Sequence, residues 1–400
     1  MGADLSGSSL VCAGLERTDL TDASLRGAYV HALAVQASFL AGADLRQLVD
    51  ATGSLFHGCS LAGARLTGSE LAGSTFYQCD LGRADLSDAD LHGAVFNECG
   101  MADVRLLRAH LDHASITRCN LSGGDLSEAR GRGLVIQRPT SADRLVLKAA
   151  QLPSLRLLGV RAHHVSAAGL HAPSVDVEGG DLAGIDLSGA DLRRARLVEV
   201  SLDGAVLDRA LLQEATLCGV TGRRIQGEGI RAEGLTAAEC TFTDAVMPRF
   251  AGRYATFRNC DLSRVDLRES YLYRASVIGD PPASARLVGA RLDGTNLTQA
   301  YLAADLSEAT FPQGWATYAR INQSIFDGAD LRGTSLYRAS AVKTNFSGAR
   351  LGGQRGALLT DRCVGLVEAL RASKDPDVAE LADEVEALAS LLARDPGKST

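Results

Sequence analysis

Residues 76–100 read, in groups of five, FYQCD LGRAD LSDAD LHGAV FNECG. Each group opens on an apolar residue (Phe76, Leu81, Leu86, Leu91, Phe96), and its fourth place is small (Cys79, Ala84, Ala89, Ala94, Cys99). A period of five fits neither the 3.6-residue rhythm of a helix nor the alternation of a simple strand. One large and one small inward position per group, separated by Asp, Gly, Ser and Arg, describe a short edge followed by a corner.

The same series extends in both directions. It runs from Leu5 to Leu45, slips by one residue, continues from Phe56 to Leu126, and returns from Leu182 to Leu217, from Phe257 to Leu302 and on to Leu351. The cysteines add a second period, because Cys59, Cys79, Cys99 and Cys119 lie 20 residues apart. Twenty is four fives, so four repeats make one lap, and residues a lap apart stack in columns at the inter-strand spacing of ~4.8 Å. Such internal repetition is the signature of a solenoid.

The strings Ala3-Asp4-Leu5, Ala89-Asp90-Leu91 and Ala329-Asp330-Leu331 resemble the pentapeptide-repeat family. The resemblance implies an all-β fold, a right-handed quadrilateral parallel β-helix, to which the sequence adds a short C-terminal α-helical cap. It also implies one activity: some members are DNA mimics that bind gyrase and give fluoroquinolone resistance. That activity needs an unbroken acidic strip. Here the 20-residue rule stacks Arg65, Asp85, Arg105 and Asp125 in one column and Asp88, Arg108 and Glu128 in the next, so the signs alternate.

The 400 residues are 46% hydrophobic and 22% charged, with net charge −7, which speaks against a chain that coats nucleic acid. Gly-Ala-Asp-Leu follows Met1 without a basic segment or an apolar run, and no stretch of about 18 apolar residues occurs. The expectation is a cytoplasmic protein, without a membrane partner, whose nine cysteines are reduced.

Four segments follow: a regular solenoid over 1–130, a degenerate basic segment over 131–180, a second regular solenoid over 181–359, and a helical cap over 360–400. The degenerate segment carries Arg132, Arg138, Arg144, Lys148, Arg156 and Arg161, a candidate anion-binding belt, with a solvated basic surface as the plainer reading. Shorter interruptions near 222–229, 247–254, 279–282 and 312–315 read as bulges. Toward the end, 361–372 reads as a short helix with Val364, Val367 and Leu370 on one side. A second helix, capped by Asp375 and Pro376, aligns Val378, Leu381, Val385, Leu388 and Leu392 in an apolar seam suited to a lid over the last lap or to a homodimer.

The cysteines, a whole lap apart, lack the close pairing of a zinc site and read as small core residues. The terminal Gly397-Lys398-Ser399-Thr400 imitates a phosphate-binding loop but lacks its earlier glycine, since position 392 is Leu. No nucleophile motif appears, so the expectation is no enzyme, cofactor or metal, with a site in the degenerate segment as the catalytic alternative. The exterior favours a protein partner instead, a topoisomerase such as gyrase among the candidates. Tyr271, Tyr273, Arg274, Tyr301, Trp315, Tyr318, Tyr337 and Arg338 gather beyond residue 250, and exposed Tyr, Trp and Arg dominate interface energetics.

Overall fold

Each repeat runs three residues along an edge and turns a corner with two. At Leu81 the corner closes when the Ala84 N–H donates to the Leu81 carbonyl at 3.0 Å, with Arg83 between them at φ 57°. A turn with positive φ at its third residue normally calls for Gly or Asn, yet Arg83, Asp88 and Arg108 all adopt it. Stacking offsets the strain, because the same residue donates to the next lap, as Asp88 N–H does to the Leu107 carbonyl at 2.9 Å.

The computed structural model describes residues 2–281, 284–352, 359–361, 366–372 and 382–383. The chain forms two compact units, Met1–Leu211 and Leu212–Thr400. In the first, one side of every lap is a short parallel strand, from β1 (Gly14–Glu16) to β7 (Val135–Gln137), then β8 (Arg156–Arg161), β9 (Asp176–Asp181) and β10 (Arg196–Ser201). Phe56, Phe76 and Phe96 pair in register, and their rings stack at 4.8 Å and within 5° of parallel. The other sides hold single bridges with the same period, such as Arg65 to Asp85 to Arg105 to Asp125. The second unit repeats the plan from β11 (Thr216–Cys218) to β15 (Tyr301–Ala303). The fold is the right-handed quadrilateral parallel β-helix, the hand that parallel crossovers take.

In the lap from Leu81 to Gly100 three corners close with the turn bond just described, at Ala84, Ala89 and Ala94; the fourth, after the strand, does not. There the Cys99 thiol donates to the Asn97 carbonyl at 3.4 Å and to the Phe76 carbonyl of the previous lap at 3.3 Å, and Cys59 does the same for His57 and Val35. Ser38, Cys260 and Thr344 serve this corner in their own laps. The cysteine column is therefore more than packing: the Cys99 N–H, which lacks the turn carbonyl here, donates to the Cys119 sulfur at 3.4 Å, and the buried thiols find carbonyl acceptors of their own. Bonding to the Cys59 and Cys99 sulfurs first, and burial after it, pushes the Cys79 thiol up, which keeps it protonated. Where the corner holds Val160, Gly180 or Val200 instead, the strand ladder runs on around it, and β8, β9 and β10 reach six residues.

The weak sequence pattern over 131–180 has a packing cause. One extra residue before Ser141 shifts the register, so Leu126 lies level with Leu147 and Ile136 with Leu157. Beyond it, the central inward places hold Ala162, Ala167 and Ala172, and the places two residues earlier hold Val160, Val165 and Leu170, all buried. Large and small have exchanged positions. The same exchange explains the expected bulges at 222–229 and 247–254, which are ordinary repeats: Val220 precedes Gly222, Ile225 precedes Gly227, and Phe250 precedes Gly252. At Gly222 a side chain would press on the Phe242 ring at 2.9 Å. Near 312–315, Gly314 takes the small place beside Phe311 within a continuous register. Of these four expected interruptions, the one after 279 adds chain, since Asp261 pairs with Arg286, 25 residues on.

At the C-terminal end β16 (Ser340–Val342) pairs with β17 (Leu359–Asp361). Asp361 therefore ends a strand, because the parallel ladder takes the backbone groups that a helix would need. The helix α1 spans Leu366–Arg371 and buries Leu366, Ala369 and Leu370, while Val367 is half-buried. Val364, Asp375, Pro376 and the seam of Val378, Leu381, Val385, Leu388 and Leu392 lie outside the described residues.

Candidate partner-binding surface

One side of the second unit turns Gly252, Leu272, Leu297, Ala316 and Leu336 inward. The corner that follows carries, lap after lap, Arg253-Tyr254, Tyr273-Arg274, Thr298-Gln299, Thr317-Tyr318 and Tyr337-Arg338. Backbone bonds tie these corners into one line: Tyr254 N–H to Tyr273, Arg274 to Thr298, Gln299 to Thr317, and Tyr318 to Tyr337, all at 2.9–3.0 Å. Beside the corner stands the column Ala251, Tyr271, Asn296, Trp315, Ser335. On the following side lies the column Thr256, Ser276, Tyr301, Arg320, Ser340. These four positions over five laps contain seven aromatic residues, four arginines and no carboxylate.

The surface is exposed, and its side chains contact one another. Tyr271, Tyr301, Trp315, Tyr318 and Tyr337 are 40–51% exposed. Tyr271 stacks on Tyr273 at 6.2 Å, Tyr254 meets Tyr273 edge-on at 6.1 Å, and Tyr318 meets Tyr337 edge-on at 5.9 Å. Arg253 lies over the Tyr254 and Tyr273 rings at 4.7 and 5.4 Å, Arg274 over Tyr273 at 5.3 Å, and Arg338 over Tyr318 and Tyr337 at 5.8 and 5.4 Å. The guanidinium of Arg253 donates to the Tyr254 hydroxyl at 2.9 Å and holds that phenol below the usual tyrosine range. Such cation–π contacts fix side chains in advance and lower the entropy lost on binding.

Of the residues marked in the sequence, Tyr271, Tyr273, Arg274, Trp315, Tyr318, Tyr337 and Arg338 come together along this corner, and Tyr301 stands on the adjoining side. Arg253 and Tyr254 belong with them, and Arg253 went unmarked. The missing signal was the inward role of Gly252, which places the pair on the same corner.

The basic set does not converge. Arg132, Arg138, Arg144 and Lys148 occupy four successive corners of one lap, and Arg156 and Arg161 project from two different sides of the next. Cations facing four directions cannot close on one anion. Arg156 also lies 3.8 Å from Asp176.

Carboxylates in the first unit are mostly answered. Arg46 forks onto Asp44 of its own repeat at 2.8 and 2.6 Å, and Arg65 of the next lap reaches the same carboxylate at 3.2 Å. The Arg46 hydrogen bonds hold Asp44 below the ordinary carboxylate range. Arg193 forks onto Asp191 in the same way, with His171 at 2.9 Å, and Arg108 forks onto Asp88 across a lap at 2.8 Å. Among the described residues no group of three side chains could hold a metal, and no helix is long and apolar enough to cross a membrane.

Fold and surface together define a pentapeptide-repeat solenoid. Two family models described as pentapeptide repeats match, one of nine copies over 56–105 and one of eight copies over 1–31, 175–221 and 317–353. The chain belongs to the pentapeptide-repeat family. No curated protein matches it in sequence. Similar solved structures include QnrB1, a plasmid-mediated fluoroquinolone resistance protein, at 17% identity over 50% of this chain and 91% of that one, with a TM-score of 0.27. HetL, involved in heterocyst differentiation regulation in the cyanobacterium Nostoc, aligns at 18% identity over 93% and 90%, with a TM-score of 0.16. A pentapeptide repeat protein of the Arabidopsis thaliana thylakoid lumen aligns at 24% over 30% and 66%, with a TM-score of 0.11.

Proposed function

We propose that this chain is a non-catalytic, protein-binding scaffold that engages its partner through the arginine–aromatic corner of the second unit. One observation carries the reading: five successive laps present seven aromatic residues and four arginines, with no acid among them, in a chain of net charge −7. Binding energy at interfaces concentrates in such residues, each hot spot contributing about 2 kcal/mol or more. Replacing Tyr271, Tyr273 and Trp315 together by Ala tests it. Affinity capture from the native cell extract should lose a specific partner, while circular dichroism stays that of the wild type; capture that survives the triple change rejects the reading.

A second reading rests on the first unit, where Glu70 bridges to Asp90 in one column and the Asp50 N–H donates to the Glu70 carboxylate at 2.8 Å. A topoisomerase such as gyrase would be the partner of that acidic face. The alternating Arg65, Asp85, Arg105 and Asp125 column beside it limits the negative field, which makes this the weaker reading. A gyrase supercoiling assay decides it: inhibition, or protection from a quinolone, at micromolar protein supports it, and neither effect removes it.

A further inference from the structure

We propose that the corner from Arg253 to Arg338 receives an extended acidic polypeptide segment of the partner, whose carboxylates bind Arg253, Arg274 and Arg338. This deepens the scaffold reading and depends on it. The first ground is charge. Arg253, Arg274 and Arg338 are held by neutral groups, namely the Tyr254 hydroxyl, the Gln299 amide oxygen and the Tyr318 hydroxyl. Elsewhere on this molecule arginines such as Arg46, Arg108, Arg193, Arg264, Arg268 and Arg332 are forked onto Asp. A guanidinium fixed by neutral neighbours keeps its charge and its fork of donors for an outside carboxylate.

The second ground separates polypeptide from nucleic acid. Bases bind such surfaces by lying on open aromatic faces. Here Tyr254, Tyr273, Tyr318 and Tyr337 carry a guanidinium over the ring, and Tyr273 is also stacked against Tyr271. Four of the seven rings are covered in this way, and Trp315 and Tyr301, which carry no such cover, stand on two different columns beside the corner instead of forming a run of stacking platforms. Shape is the third ground. The Arg253 and Arg338 corners are four rises apart, roughly 19 Å at ~4.8 Å per lap, a distance spanned by about six residues of extended chain. Arg274 lies one rise above Arg253. The best occupant therefore has two acids at one end and another about six residues along.

The test uses the full chain and fluorescein-labelled 12-residue peptides, one alternating Glu and Ser and one alternating Gln and Ser, with a 12-nucleotide oligothymidylate as the third probe. Anisotropy should show the Glu peptide binding at least tenfold more tightly than the Gln peptide, weakening as salt rises, with the oligonucleotide weaker than the Glu peptide. Arg253→Gln, Arg274→Gln and Arg338→Gln combined should cost at least tenfold in Glu-peptide affinity with an unchanged circular dichroism spectrum. Equal binding of the Glu and Gln peptides, full affinity in the triple variant, or an oligonucleotide that binds more tightly each overturns the proposal. If the arginine variant still captures the native partner while the Tyr271, Tyr273 and Trp315 variant does not, the scaffold reading stands and the acidic segment falls.

Discussion

The two units wind the same repeat and dress it differently. On the first, outward charges meet partners along a column or within a repeat, as Asp88 meets Arg108 and Asp44 meets Arg46 and Arg65. On the second, one corner gathers Tyr, Trp and Arg without a carboxylate. Both keep the same interior of paired large and small residues. The inward positions are thus answerable to the fold, and the outward ones are open to function.

If the interior governs, the largest loss should come from the stack at Phe76. Phe76→Ala opens a void between Phe56 and Phe96 and should cost about 3–5 kcal/mol, read as a lower denaturant midpoint. A loss below 1 kcal/mol would show that neighbouring laps collapse to fill the gap.

Next is the exchange of large and small. Ala162→Val alone overfills the interior and should cost about 1–3 kcal/mol, whereas adding Val160→Ala in the same chain restores most of it. Losses that simply add would break the claim that these positions share one volume.

A smaller effect belongs to Asp44→Asn, which removes the carboxylate forked by Arg46 and should cost roughly 1 kcal/mol at neutral pH. Because the folded pKa of Asp44 is lowered, its stabilisation is complete above the unfolded value near 3.9 and disappears as pH falls through the folded value. The stability gap between variant and wild type should be constant from pH 7 to about pH 5 and close below pH 4; a gap that persists in acid contradicts the ion pair.

Smallest of all, Tyr271→Ala and Trp315→Ala should leave the unfolding midpoint where it is, although they remove large, half-exposed aromatic groups of the second unit. A clear drop would mean that the corner is structural, and the contrast between the units would lose its meaning.

The fold was legible wherever the large residue held the central inward place, and Cys59, Cys79, Cys99 and Cys119 alone gave the length of a lap. It became illegible where Ala162, Ala167, Gly222 and Gly252 held that place, because volume is fixed by the pair while the eye follows one position. The family models fall silent over 106–174 and 222–316, stretches that contain these four residues. Most of the candidate surface could be marked from residue type, since Tyr271 and Tyr273 flank an inward leucine. Arg253 could not, because its corner follows Gly252. The candidate belt of Arg132, Arg138, Arg144 and Lys148 does not gather into one site for a related reason: neighbours in sequence are separated by right-angle turns, and only residues a lap apart share a side.

Sharing of space between inward neighbours two residues apart also bears on how this sequence can drift over generations. A gain of bulk at one of them survives only beside a matching loss at the other, so the heritable unit of this interior is a couple rather than a site. Comparative study of its relatives should find substitutions travelling in twos, with the sum of side-chain sizes better preserved than the identity of either residue.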